Sequence, residues 1–173
     1  MVNDIQPTGT ERTFEVDEII VSKTDMKGRI TYANDVFIKL ALYEESEVLG
    51  APHSLVRHPD MPRAVFKLLW DTIQAGQEIF AYVINMSKNG DHYWVFAHVT
   101  PSFDENGVIK GYHSNRRVPE EGPLGKVKDL YKTLIHEEQR HASRKDGMDA
   151  SFNMLVNLLD ENKVTYEEFI FSL

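Results

Sequence analysis

The chain has 173 residues and no cysteine, and its 19 lysines and arginines stand against 27 aspartates and glutamates, for a formal net charge of −8. That length fits one domain with extensions rather than two; the acidic balance argues against a nucleic-acid partner, which needs a basic footprint; and the lack of thiols excludes disulfides, thiolate metal sites and cysteine nucleophiles. The N-terminus has neither the basic nor the apolar region of a signal peptide, and no later stretch has the apolar length of a membrane span, so a cytoplasmic address without direct membrane insertion is expected.

Residues 1–18 are polar, carry Pro7 and Gly9, and show no regular period, which predicts a mobile cap or arm. Ile19, Ile20 and Val21 lead into the turn signal Thr24–Gly28 and then Arg29–Tyr32, a hairpin of two short strands. Asn34 is placed to cap a helix through Val36, Phe37 and Leu40, because its side-chain oxygen can accept a free amide of the first turn. A short helix is expected over Glu44–Leu49, ended by Gly50. Pro52, Pro59 and Pro62 then break regular structure. From Ala64, Val65, Phe66, Leu69, Trp70 and Ile73 recur at helical spacing until Gly76.

Three further strands are predicted at Ile79–Met86, His92–Pro101 and Val108–Arg117, joined by turns whose Asn89-Gly90 and Asn106-Gly107 pairs tolerate positive φ. Consecutive hairpins demand antiparallel pairing, and helices inserted between the second and third strands can cover one face of the sheet. The fold class expected is therefore α+β, a five-stranded antiparallel sheet with helices covering one face over residues 19–117. Residues 118–123 read as a linker by composition, and 124–173 as a C-terminal helical extension. Its first helix carries Leu124, Val127, Leu130, Tyr131 and Leu134; a second begins near Asp149 and carries Phe152, Leu155, Val156 and Leu159. Such stripes must cover apolar surface, either by folding back on the sheet or on each other, or as a homodimer or receptor-docking surface.

Between Pro52 and Trp70 the chain gathers His53, Arg57, His58 and Asp60 beside an aromatic helix face. Arginine offers a planar fork of donors, histidine donates or accepts, and tryptophan presents a stacking face, a set suited to a planar, polyanionic ligand. The run RHPDMP (Arg57–Pro62), with Pro52-His53, ITYAND (Ile30–Asp35) and KNGDHYW (Lys88–Trp94), resembles the FAD-binding PAS domain of bacterial aerotaxis receptors over about residues 19–117. The resemblance implies a PAS fold with the flavin ring between the sheet and the helical segments. It implies that Trp70 and Asn85 border the ring, the Asn85 amide bonding its redox-active edge, and that Asn34, His53, Arg57, His58 and Asp60 serve FAD binding. Tyr93 and Trp94 fall in the matching strand, with the question of which one faces the ligand left open. Up to Leu173 the sequence shows no anchor or signalling module, a layout that resembles the stand-alone PAS proteins of bipartite energy-taxis systems. That layout implies a redox or energy sensor, not an enzyme, which signals to a separate membrane-anchored chemotaxis-type protein and is recruited by it to the inner face of the membrane.

Each residue also has a plain structural reading. Trp70 alone would be core packing, Asn85 a strand-edge residue, and Asp60 a cap for the helix from Ala64. His92, His98 and His113 fall in strands without the spacing of a metal site. His136 and His141 stand five apart rather than four, so they do not form the zinc-protease helix motif and no metal is assigned. Two rival functions stay open: a haem-binding PAS oxygen sensor, motivated by His53, His58 and Trp94, and a small flavoenzyme, for which no glycine-rich nicotinamide fingerprint occurs.

Overall fold

A computed structural model describes residues 5–173; the first four residues of the expected arm lie outside it. The chain runs β1 (Ile20–Thr24), β2 (Ile30–Ala33), α1 (Asp35–Ala41), α2 (Glu45–Val48), a 3₁₀ turn (His53–Val56), α3 (Arg63–Gln74), β3 (Ile79–Met86), β4 (His92–Phe103), β5 (Ile109–Arg117), α4 (Glu121–Gln139), α5 (Arg144–Asn162) and α6 (Tyr166–Ser172). The strands pair antiparallel in the order β2-β1-β5-β4-β3. Local chemistry sets the turns: Asp25 Oδ1 accepts from the amides of Lys27 and Arg29, and Gly28 takes φ +75°, a conformation glycine adopts without strain.

Part of the arm lies against the sheet. The Thr8 amide donates to the Gly90 carbonyl, Arg12 to His92, and His92 back to Thr10, so residues 8–12 run along the start of β4. A Cβ at Gly90 would collide with the Gln6 carbonyl oxygen, which is why the arm can lie so close to the β3–β4 turn. Sequence reasoning saw the polar composition but not the backbone groups that satisfy it.

Side chains alternate across the sheet. The register puts Ser22, Ser114 and Val99, and likewise Arg116 and Ala97, on one inner face that also holds Val83 and Asn85. The segments from α1 to α3 cover this face. Asn34 caps α1 as expected: its Oδ1 accepts from the amides of Phe37 and Val21, and its Nδ2 donates to the Ile19 carbonyl. Phe37 and Leu40 are fully buried beneath it.

The outer face is covered too, so helices lie on both sides of the sheet, where the sequence pattern predicted one. Tyr131 of α4 donates its hydroxyl to the Tyr82 carbonyl at 2.5 Å and packs on Trp94 with ring centroids 6.0 Å apart. Phe171 of α6 packs on Phe80 and Phe96. The extension therefore folds back on the sheet and on itself. Helix α4 starts at Glu121, inside the stretch read as a linker, because Pro123 falls in its first turn, where no amide is needed; the connection after β5 is residues 118–120. Helix α5 starts at Arg144, ahead of the expected Asp149, capped by Ser143. Its buried line is Gly147, Ser151 and Leu155, and a Cβ on Gly147 would collide with the Glu138 carbonyl of α4. The third helix, α6, was not expected; its capping box joins Thr165 and Glu168. Among the described residues no helix is long and apolar enough to cross a membrane.

Candidate functional site

Between the inner face and α3 lies a cavity of about 310 Å³, at the small end of ligand sites. Val83, Ala97 and Val99 of the sheet face Leu69, Ile73 and Trp70 of α3 across it. Trp70 meets Tyr112 edge-on, centroids 5.5 Å apart, and is seated against Gly28, where a Cβ would stand 3.0 Å from its ring. These walls are apolar and flat.

Three polar groups open into that apolar space. Asn85 on β3 is 4% exposed, and its amide makes no side-chain hydrogen bond among the described residues. Arg116 on β5 is 2% exposed; Nη2 donates to Ser22 Oγ, while Nε and Nη1 have no partner among the described residues. Burial pushes its pKa down to about 10, and no carboxylate offsets that burial. His53, at the 3₁₀ turn, lies with Nε2 3.1 Å from Ser22 Oγ. The Ser22 hydroxyl thus lies between the Arg116 guanidinium and the His53 ring. At the mouth, where Lys27 and Ser54 are exposed, the Arg57 guanidinium lies over the Phe66 ring at 4.2 Å.

His53 carries a pH signature. Burial first, and the Arg116 charge second, push its pKa from 6.5 down to about 3. The folded state thus refuses a proton that the unfolded state takes up. Its contribution to stability is complete above about pH 6.5 and is lost as pH falls from there toward 3, by at most about 1.4 kcal/mol per pH unit. Urea unfolding of flavin-free wild type and His53→Gln at several pH values checks this: the wild type's advantage should shrink steadily between pH 7 and pH 4. A gap that stays constant over that range would contradict it.

The structure brings Trp70, Asn85, His53 and Arg57 to one cavity and places the other expected site residues elsewhere. Arg57 forms an isolated antiparallel bridge with Asn85, and the chain turns directly after it, the Met61 amide donating to the His58 carbonyl. Arg57 faces the cavity. His58 faces the outer side, where its ring meets His92 edge-on at 5.7 Å and its Nδ1 accepts from the Asp60 amide. Burial, more than any charge, lowers its pKa. The Asp60 side chain is 72% exposed and does not cap α3; Glu138 of α4 does, accepting from the Ala64 amide at 3.1 Å. Every side-chain hydrogen bond of Asn34 among the described residues goes to backbone, as described above. Tyr93 points inward but lies beneath the cavity wall, its hydroxyl buried without a partner and its pKa pushed up to about 12 by burial. Trp94 points outward, against Tyr131. Among the described residues no group of histidines and carboxylates is arranged to hold a metal.

Two residues escaped the sequence reading. Arg116 could have been found from period 2 on β5, which puts it on the face of Tyr112 and Ser114, but its lack of a counter-ion is a tertiary fact. Glu138, 7% exposed, looked like part of a charged helix end and carried no signal.

Comparison with known proteins adds the following. Residues 30–115 match the PAS fold family. Over 118 residues the chain is 43% identical to the aerotaxis receptor of Escherichia coli K12, a match covering 68% of this chain and 23% of that protein. It is 27% identical over 103 residues to a nitrogen fixation regulatory protein of Klebsiella pneumoniae, covering 60% of this chain and 21% of that one. The chain thus spans under a quarter of the length of either relative. Among solved structures, the light state of the blue-light photoreceptor Aureochrome1 LOV superposes with a TM-score of 0.54 at 25% identity, over 69% of this chain and 91% of that one.

Proposed function

We propose, on the premise that this chain carries a PAS domain across residues 30–115, that it is a sensor which holds FAD non-covalently and reports redox or energy state to a separate signalling protein. The observation that carries the reading is a pair of buried polar groups that open into one cavity: the Asn85 amide, with no side-chain hydrogen bond among the described residues, and the Arg116 guanidinium, which donates to Ser22 Oγ from Nη2 but leaves Nε and Nη1 without a partner there. A buried cation needs acceptors. The edge of a flavin ring, with its carbonyl oxygens and ring nitrogens, supplies them, and the flat apolar walls suit its faces. The cavity is of a size for the ring system rather than for the whole dinucleotide. The diphosphate would then lie at the mouth, beside Lys27 and Arg57, whose planar donor fork suits it.

Bound flavin supplies a redox reaction that changes protonation along the ring edge. Asn85 can turn either its oxygen or its NH₂ toward that edge, so a change in ring protonation gives the two amide orientations different energies. The same strand carries Tyr82, whose carbonyl holds Tyr131 of α4. A shift of β3 would therefore be felt by the C-terminal helices, which we assign to output toward a membrane-anchored chemotaxis-type partner. The similarity of this chain to part of an aerotaxis receptor supports that assignment. The haem alternative loses two of its three motivating residues, because His58 and Trp94 lie on the outer side of the sheet.

Asn85→Ser is expected to retain flavin but to lose the link between flavin state and the outer helices. Limited proteolysis of α4–α6 in oxidised and reduced protein tests this. Wild type should differ between the two states and the variant should not; an undiminished difference in the variant would remove Asn85 from the switch.

A further inference from the structure

Helix α4 carries two buried polar side chains, Tyr131 and Glu138, that bond to backbone outside the helix. They stand two turns apart on one face, about 10.5 Å along the axis. The Tyr131 hydroxyl donates to the Tyr82 carbonyl of β3, and the Glu138 carboxylate accepts from the Ala64 amide in the first turn of α3 at 3.1 Å. These two contacts grip the two walls of the flavin cavity, for β3 carries Val83 and Asn85 to it and α3 carries Leu69, Trp70 and Ile73.

The grip on α3 is a working part of that helix. Its own N-cap residue, Pro62, makes no side-chain cap, and Glu138 supplies the acceptor in its place. A carboxylate suits the position, because the free amides and the dipole of a helix N-terminus favour negative charge. Helix α5 is locked to the same junction: a Cβ on Gly147 would collide with the Glu138 carbonyl, Arg63 of α3 donates to the Arg144 carbonyl at 3.4 Å, and the Lys67 ammonium lies 4.9 Å over the Phe152 ring. Glu138 also acts on the cavity mouth by its charge. Burial first and Arg63 next lower the pKa of Arg57, and Glu138 opposes them.

The two contacts are unequal. Tyr131 is 4% exposed and its bond measures 2.5 Å, so breaking it would strand a buried hydroxyl. The Glu138 bond is longer and sits at the end of α4 beside exposed Gln139 and Arg140, where a freed carboxylate and a helix-end amide regain water after a small movement.

We propose that α4 works as a caliper across the flavin cavity: Tyr131 stays on β3, while Glu138 opens and closes on the Ala64 amide of α3 as the flavin state alters the spacing of the walls, and the start of α5 moves with it. This inference rests on the flavin reading above and assigns the regulation of that site to one contact, with Glu138 as a positioning residue that passes the change to α5.

The test is amide hydrogen exchange of the full chain, read residue by residue by NMR. Without flavin, Glu138→Ala should speed exchange at Ala64 by at least about tenfold, the scale of a lost charge-assisted hydrogen bond; Glu138→Gln, which keeps an acceptor but no charge, should exchange as wild type does. With FAD bound, wild type should differ between the oxidised and the dithionite-reduced protein at Ala64 and in the first two turns of α5. Glu138→Ala should lose the difference in α5 with flavin absorbance unchanged, and Glu138→Gln should keep it. The proposal is overturned if Ala64 exchanges alike in wild type and Glu138→Ala, if Glu138→Gln exchanges as fast as Glu138→Ala, or if flavin-loaded Glu138→Ala keeps the full difference in α5. A folded wild type that takes up no FAD would overturn the flavin reading and the caliper with it; exchange at Ala64 in the flavin-free protein tells that failure from failure of the contact itself, which is present or not whatever the ligand.

Discussion

Arg116→Met is expected to stabilise the flavin-free protein while weakening flavin binding by at least about tenfold, two effects of opposite sign from one substitution. The guanidinium is 2% exposed, and among the described residues Nε and Nη1 have no partner and Ser22 is its one hydrogen-bond acceptor. Its desolvation is therefore not offset. Replacing such a buried charged group by an apolar side chain of similar length is commonly neutral or stabilising, by roughly 1–4 kcal/mol. With flavin bound, the same guanidinium donates to the ring edge, and losing a charged hydrogen bond costs about 1.5–3 kcal/mol, or roughly ten- to a hundredfold in affinity. Thermal unfolding of the flavin-free variant and fluorescence titration with FAD read the two halves separately. A variant that is less stable without flavin, or that binds flavin as tightly as wild type, would contradict the role given to Arg116.

A chain ending at Glu120 is expected to aggregate or remain unfolded rather than behave as a trimmed sensor. Helix α4 buries Leu124, Val127, Tyr131 and Leu134 in the core it shares with the sheet and with α5. Each such side chain is worth roughly 1.5–3 kcal/mol, so together they rival the whole stability of an ordinary domain, about 5–15 kcal/mol. The cut would also bare Tyr82, Trp94 and Phe96 and take away Glu138, which caps α3. Sedimentation and near-ultraviolet circular dichroism of the truncated chain decide the matter. A soluble, folded product with normal flavin occupancy would show that the extension is an accessory and not part of the core.

The comparison of sequence with structure divides along a physical line. Strand boundaries were legible because Asn-Gly turns and period-2 alternation are local; β3 falls at Ile79–Met86, as read from sequence. Asn34 was legible as a cap for the same reason. The sequence did not disclose which side of the sheet each site residue takes. RHPDMP looks like one cluster in sequence, but Arg57, bridged to Asn85, lines the inner cavity while His58, at the start of the turn that follows, lines a cleft on the outer side. The second layer of helices was hidden because an amphipathic stripe states that it must be covered and not by what. Pro123 misled as a breaker because its effect depends on its place in the helix: in the first turn it is harmless. Arg116 stayed invisible because an unpaired cation is defined by what is absent around it.

The most direct test of the account is the visible absorption spectrum of the purified protein, before and after addition of FAD. The account predicts the two blue and near-ultraviolet flavin bands, with fine structure from a rigid apolar pocket, that bleach on reduction and are weaker in Arg116→Met purified without added FAD. A Soret band in the purified protein, or a folded protein that takes up no flavin from solution, would contradict it.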